Sequence, residues 1–123
     1  MKKISSLLLS FICMLFLSSL ANAAITIPSA TPIGSTSAVS SEYLTDILIV
    51  NYSSRFIDIY VPALRFEQRL YPYYQQHVVA NDSDPKRVIL YDYRGDLFFD
   101  ELVSPYDLIE VYDSMDKTIA KRH

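Results

Sequence analysis

The chain has 123 residues, half of them hydrophobic, with a single cysteine, no tryptophan and a formal charge of −3. This length supports one domain with its own hydrophobic core. If Lys2 and Lys3 are removed, nine basic and fourteen acidic side chains leave a net charge of about −5. Such a balance argues against a nucleic-acid partner, which requires a basic stripe, and against attraction to an anionic membrane surface.

Residues 1–23 are predicted to be a cleavable signal peptide. Two lysines follow Met1, an apolar run covers residues 4–20, and Ala-Asn-Ala at 21–23 is a site of the small-x-small type. The apolar run is shorter than the ~20 residues of a membrane-spanning helix. Cys13 lies inside this run without the small residues that precede a lipidated cysteine, so we do not expect a lipid anchor. An uncleaved N-terminal anchor is the alternative.

Cleavage after Ala23 predicts a periplasmic or secreted protein with no stable membrane anchor. The remaining chain has no cysteine and can form no disulfide. A small exported domain without disulfides, preceded by a short apolar run, is typical of bacteria.

Residues 24–41 are rich in small and hydroxylated residues, with two prolines, and are predicted to be a linker or an extended N-terminal arm. Ile25 and Ile27 alternate with a threonine and are compatible with a short edge strand. Such an arm could also pair with the sheet edge of a neighbouring molecule.

Residues 42–113 are predicted to form an all-β domain, a small antiparallel β-sandwich or barrel of six to seven strands. Short apolar or alternating segments recur every 8–12 residues, with turn signals between them. The period of two predicts a core of Ile47, Ile49, Ile57, Ile59, Phe66, Leu90, Leu102, Ile109 and Val111. Residues 114–123 are polar and are predicted to be a short helix or a frayed tail.

The tripeptide Arg94-Gly95-Asp96 lies at a predicted hairpin, with Gly95 and Asp96 as the central residues of a type II′ turn. The same tripeptide is used by integrin-binding adhesins, so an exposed loop tip with Arg94 and Asp96 splayed apart would be a candidate adhesion motif. The simpler interpretation is that Gly95 serves the backbone geometry and the two charges serve solubility.

Ten tyrosines are the most unusual feature of the composition. Tyrosine combines a large contact area with few rotatable bonds and a polar tip, which suits recognition surfaces. The alternative is that the rings line the rim of a small core. The candidate binding residues are Tyr71, Tyr73, Tyr74, Tyr91 and Tyr93.

No catalytic or metal-binding motif is present. Apart from the terminal His123, His77 is the only histidine, which is too few ligands for a zinc or copper site. The acidic loop at 81–84 lacks the glycine and downstream ligands of a calcium loop. Asp100 and Glu101 are adjacent in a predicted strand and point to opposite faces, so they do not form a pair of catalytic carboxylates. We therefore expect no cofactor and no metal.

These observations predict a non-enzymatic exported protein that binds a protein or a glycan through a tyrosine-rich surface. Two alternatives remain open. One is a structural envelope or assembly subunit that uses the N-terminal arm. The other is a small enzyme with an acid–base site built from aspartate and tyrosine.

Overall fold

The computed structural model describes residues 26–35 and 43–123, and it confirms an all-β fold. Two sheets pack face to face, and the described residues contain no α-helix. These described residues form nine strands: β1 (Thr31–Pro32), β2 (Thr45–Asn51), β3 (Ile57–Val61), β4 (Phe66–Leu70), β5 (Tyr74–Ala80), β6 (Lys86–Tyr91), β7 (Leu97–Val103), β8 (Leu108–Ser114) and β9 (Lys117–Arg122). The predicted signal peptide lies outside the described residues.

One sheet has five strands in the order β1-β5-β2-β8-β9, and the other has four in the order β4-β3-β6-β7. Pro62 ends β3, because proline cannot donate to the ladder, and a short 3-10 turn over Pro62–Leu64 leads into β4. All neighbouring strands are antiparallel except β2 and β8, which run parallel with Ile49 beside Ile109. The predicted β-sandwich is confirmed, and the prediction of antiparallel pairing is wrong only for β2 and β8.

The core is apolar and comes from the inward positions of both sheets. Seven of the nine predicted core residues are buried, namely Ile47, Ile49, Ile57, Ile59, Leu90, Ile109 and Val111. Phe66 is only half-buried and packs against the edge of the core. Leu102 is wrong, because it is 65% exposed while Phe99 and Val103 point inward from the same strand.

The C-terminal residues form a strand rather than the predicted helix or tail. The strand β9 pairs with β8 from Ser114–Lys117 to Ile109–Arg122. In β9, Thr118 is buried and Ala120 packs against the core, so a mostly polar segment still closes one side of the five-stranded sheet.

The described part of the predicted N-terminal arm, residues 26–35, contributes the edge strand β1 to the five-stranded sheet. Thr31 pairs with Gln75 in β5, and the buried Gln76 amide donates a hydrogen bond to the carbonyl of Pro28 at 2.7 Å. The edge strand therefore lies a few residues beyond the predicted position. Ile27 belongs to no strand, and Ile25 lies outside the described residues.

The β6–β7 hairpin is closed differently from the predicted type II′ turn. The amide of Gly95 donates to the carbonyl of Asp92 at 2.9 Å, and the amide of Asp92 donates to the carbonyl of Asp96 at 2.8 Å. Gly95 has the predicted positive φ, +86°, but it is the last residue of a turn over 92–95 rather than the first central residue. A turn followed by a left-handed glycine is the usual three-residue hairpin connection.

Candidate functional site

Four loops meet at one end of the sandwich, which we call the loop end: residues 52–56, 71–73, 92–96 and 115–116. The strand pairings bring them together. Asn51, the last residue of β2, lies beside Val111 near the end of β8. Asp58, near the start of β3, pairs with both Arg69 near the end of β4 and Tyr91 at the end of β6.

A buried asparagine ties two of these loops together. The Asn51 side-chain amide donates to the carbonyls of Arg55 (2.9 Å) and Leu70 (3.1 Å), and its oxygen accepts from the amide (3.0 Å) and hydroxyl (2.6 Å) of Ser53. The backbone carbonyl of Asn51 also accepts a hydrogen bond from the amide of Tyr73 at 2.8 Å. One side chain therefore sets the position of the 52–56 loop relative to the 71–73 loop.

The loop end collects most of the tyrosines. Seven of the ten lie in its loops or within three residues of them: Tyr52, Tyr71, Tyr73, Tyr74, Tyr91, Tyr93 and Tyr112. Tyr71 and Tyr73 each expose more than half of their area, whereas Tyr93 is half-buried. Tyr52 and Tyr112 stack with ring centres 5.2 Å apart. Burial, with a smaller contribution from Glu110, raises the pKa of Tyr112.

Two arginines share the ring of Tyr93. The guanidinium carbons of Arg55 and Arg94 lie 4.2 Å and 5.1 Å from its centre, within the range of cation–π contacts. Arg94 Nε also donates to the Tyr93 hydroxyl at 2.8 Å, and this hydrogen bond raises the pKa of Arg94. Neither arginine forms an ion pair with a carboxylate of the described residues, in contrast to Arg69, Arg87 and Arg122.

The carboxylate of Asp92 fixes the backbone of the Arg94-Gly95-Asp96 tripeptide. Asp92 Oδ1 accepts hydrogen bonds from the amides of Arg94 (2.8 Å) and Asp96 (2.9 Å). The Arg94 guanidinium lies against the ring and the hydroxyl of the neighbouring Tyr93. These hydrogen bonds close the hairpin turn, and a receptor-binding role of the tripeptide stays a prediction.

Two exposed apolar side chains at the loop end sit on a left-handed backbone. Tyr73 has φ +64° and Met115 has φ +57°, although residues with a Cβ rarely adopt this region. The Met115 side chain is 100% exposed. Unusual backbone conformations of this kind concentrate at functional positions. The sequence did not single out Met115, yet a lone apolar residue inside the polar turn 113–117 is a visible signal.

Tyr91 is close to the loop end in sequence, but it lies in the four-stranded sheet and not in a loop. It points outward from the four-stranded sheet, where it pairs with Asp58 and lines an open groove of about 610 Å³. The cavity at the loop end, between Arg55, Tyr93 and Met115, is only about 110 Å³. Among the described residues, the groove has the volume of a small-ligand site, whereas the cavity at the loop end is smaller than such sites usually are.

Both histidines pair with carboxylates on the outer face of the five-stranded sheet. His77 Nδ1 lies 2.8 Å from Asp46 Oδ1, and His123 Nε2 lies 2.7 Å from Glu110 Oε1.

In the predicted acidic loop, the Lys86 ammonium binds the Asp82 carboxylate and the Asp84 carbonyl, and it holds the pKa of Asp82 below its ordinary value. Within residues 26–35 and 43–123, no three potential ligands form a metal site.

The comparisons with known families, curated proteins and solved structures find no match to this chain. In the part of the chain that the structure describes, no helix is long and apolar enough to span a membrane.

Proposed function

We propose that this protein is an exported binding module without catalytic activity, and that it recognises a protein partner through the loop end. The single observation that carries the proposal is the presentation of Tyr73 and Met115, both exposed and both at positive φ, at the same end of the sandwich. Left-handed backbone costs a residue with a Cβ about 1–2 kcal/mol. We infer that the fold retains these two residues in spite of the cost because their exposed side chains serve binding.

The composition of the loop end supports a protein as the partner. Protein–protein interfaces are enriched in tyrosine, methionine and arginine and depleted in lysine and glutamate. The loops 52–56, 71–73, 92–96 and 115–116 contain tyrosine, arginine, phenylalanine and methionine and no lysine or glutamate, although five of their fifteen residues are aspartate or serine, which interfaces also deplete. Energetic hot spots are likewise enriched in tyrosine and arginine, which the Tyr93 cluster combines.

The test is affinity capture from envelope and host extracts with the purified protein and two variants, Tyr73→Ser and Met115→Ser. Tyr106→Ser is the matched control, because Tyr106 is also exposed but lies in the loop between β7 and β8, at the opposite end. The expected result is a protein retained by the wild type and the control and lost by both loop-end variants. Equal capture by all four proteins would refute the loop end as the binding surface. An enzymatic role would require turnover by the purified protein.

A further inference from the structure

The outer face of the four-stranded sheet carries a regular array of side chains beneath the open groove. Across β4, β3 and β6, one row contains Glu67, Tyr60 and Ile89, and the next contains Arg69, Asp58 and Tyr91. All of these side chains except Ile89 line a groove of about 610 Å³ or a smaller hollow of about 240 Å³, and the two cavities share Asp58, Glu67 and Tyr91. They are therefore parts of one depression that crosses three strands.

Two tyrosine rings occupy diagonal corners of this array. Tyr60 and Tyr91 lie on adjacent strands, and diagonal neighbours of this kind are about 7–8 Å apart. Tyr60 is 38% exposed, while Ile89, which faces the same side beside it, is only 6% exposed. Neighbouring side chains therefore cover Ile89, and the rings provide apolar area on an otherwise polar surface.

The polar groups of the groove include both donors and acceptors, and two of them are joined by a pair of hydrogen bonds. Arg69 donates from Nε and one terminal nitrogen to the two oxygens of Asp58 at 2.9 and 3.2 Å, and its guanidinium stacks on Phe56 at 3.9 Å. The hydrogen bond with Asp58 raises the pKa of Arg69. Glu67 and Gln68 extend the groove toward the free edge of β4.

We propose that this groove binds a neutral oligosaccharide. A pyranose ring has an apolar face that packs on an aromatic ring and a rim of hydroxyls, each of which both donates and accepts hydrogen bonds. The diagonal tyrosines supply the aromatic area. The carboxylates of Asp58 and Glu67 supply hydrogen-bond acceptors, and the guanidinium of Arg69 supplies donors. An anionic ligand would meet two carboxylates and one guanidinium that is already paired. The groove borders the loop end, because Arg69 stacks on Phe56 of the 52–56 loop, but the residues tested for the two proposals are different.

The experiment uses three neutral hexasaccharides as probes: cellohexaose, maltohexaose and the hexamer of N-acetylglucosamine. Each is titrated into the purified protein, and binding is followed by calorimetry and by amide shifts in NMR spectra. At least one probe is expected to bind saturably and to shift resonances of β3, β4 and β6. Tyr60→Ala and Glu67→Gln are both expected to weaken that binding at least tenfold, with the amide spectrum of the rest of the domain unchanged.

Tyr106→Ser is the matched control and should bind the probe like the wild type, as should the loop-end variant Tyr73→Ser. A failure of the protein-capture experiment thus leaves the groove proposal standing, and the reverse also holds. No saturable binding of any probe at millimolar concentration would overturn the proposal. Unchanged binding in both groove variants, or equal weakening by Tyr106→Ser, would also overturn it.

Discussion

At the scale of single residues, the loop end depends on Asn51 more than on any exposed side chain. Its amide group makes hydrogen bonds to both the 52–56 loop and the last residue of β4. Buried polar groups are costly when they lose their partners, so a side chain that pairs several of them at once has a large effect on local geometry. The sequence indicates a turn after Asn51, but it does not indicate that the asparagine is buried or what it binds.

Asn51→Ala is expected to lower the free energy of unfolding by at least about 2 kcal/mol, because each buried group left unpaired costs roughly 1–3 kcal/mol. Urea denaturation followed by circular dichroism measures this change. Ser54→Ala is the control, since Ser54 is exposed and contributes only its backbone amide to Asp113. Equal stability of the Asn51 variant and the wild type would contradict the assignment.

Because Met115 has a positive φ, we expect opposite effects on stability when it is replaced by glycine and by valine. Glycine adopts positive φ without a Cβ clash, so Met115→Gly should preserve stability or raise it by up to about 1 kcal/mol. Valine is disfavoured in this region, so Met115→Val should lower stability by about 1 kcal/mol. Thermal melts of the two variants provide the measurement. A valine variant as stable as the glycine variant would show that the turn is not strained.

At the scale of elements, β7 shows that alternating apolar and polar residues can predict a strand without predicting which face of the strand points into the core. Phe98, Asp100 and Leu102 lie in one phase, and Leu97, Phe99, Glu101 and Val103 lie in the other, so each phase contains one acid. The inward phase is that of Phe99 and Val103. Glu101 is tolerated there because Arg122 of the other sheet pairs with it at 3.1 Å where the edges of β7 and β9 meet.

The corrected phase of β7 gives a direct comparison of two apolar truncations. Ile59→Ala removes a fully buried side chain and should cost about 2–5 kcal/mol. Leu102→Ala removes one that is mostly exposed and should change stability by no more than about 0.5 kcal/mol. Denaturant titrations of both variants test this difference. A comparable loss in the Leu102 variant would restore the face predicted from the sequence.

An ion pair between β6 and β7 is expected to make the stability of the fold depend on pH. Arg87 donates two hydrogen bonds of 2.7 Å to the carboxylate of Asp100, and the arginine holds the pKa of Asp100 below its ordinary value. A depressed pKa in the folded state means that the pair stabilises the fold above about pH 4, and that this contribution is lost as the pH falls through the depressed pKa.

Arg87→Gln is therefore expected to raise the pKa of Asp100 toward its ordinary value, as measured by NMR titration of the side-chain carboxyl carbon. Arg69→Gln, which removes the equivalent partner of Asp58 in the neighbouring strand pair, should leave the Asp100 titration unchanged. The same midpoint in the wild type and the Arg87 variant would show that the hydrogen bonds do not persist in solution.

At the scale of the whole molecule, long-range pairing decides the architecture. The parallel contact between β2 and β8 joins segments about 60 residues apart, and β9 is recruited as an outer strand although its sequence is mostly polar. Neither feature is encoded in a local pattern. The packing of β1 on β5 within the same chain also gives the N-terminal arm a place in the fold without a neighbouring molecule.

The predicted cleavage of a signal peptide concerns the whole chain and can be tested independently of the fold. If residues 1–23 are a signal peptide, the protein recovered after export should begin at Ala24, because the small residues at 21 and 23 match the requirement of signal peptidase. Intact-mass measurement of the exported protein determines this directly. Ala23→Leu should block cleavage, whereas Asn22→Gln, at the unconstrained middle position, should not. A mature species that retains Met1 would refute export by cleavage.

The all-β class, most of the core and the positive φ of Gly95 were determined by the sequence alone. These features follow from local rules: side chains alternate with a period of two, β-branched residues favour strands, and glycine tolerates a left-handed backbone. Only the tertiary structure decided the phase of β7, the parallel pair, the burial of Asn51, and the separation of the tyrosines between the loop end and the groove. Each of these depends on which distant segments become neighbours, and contacts between distant segments leave no periodic signal in the sequence.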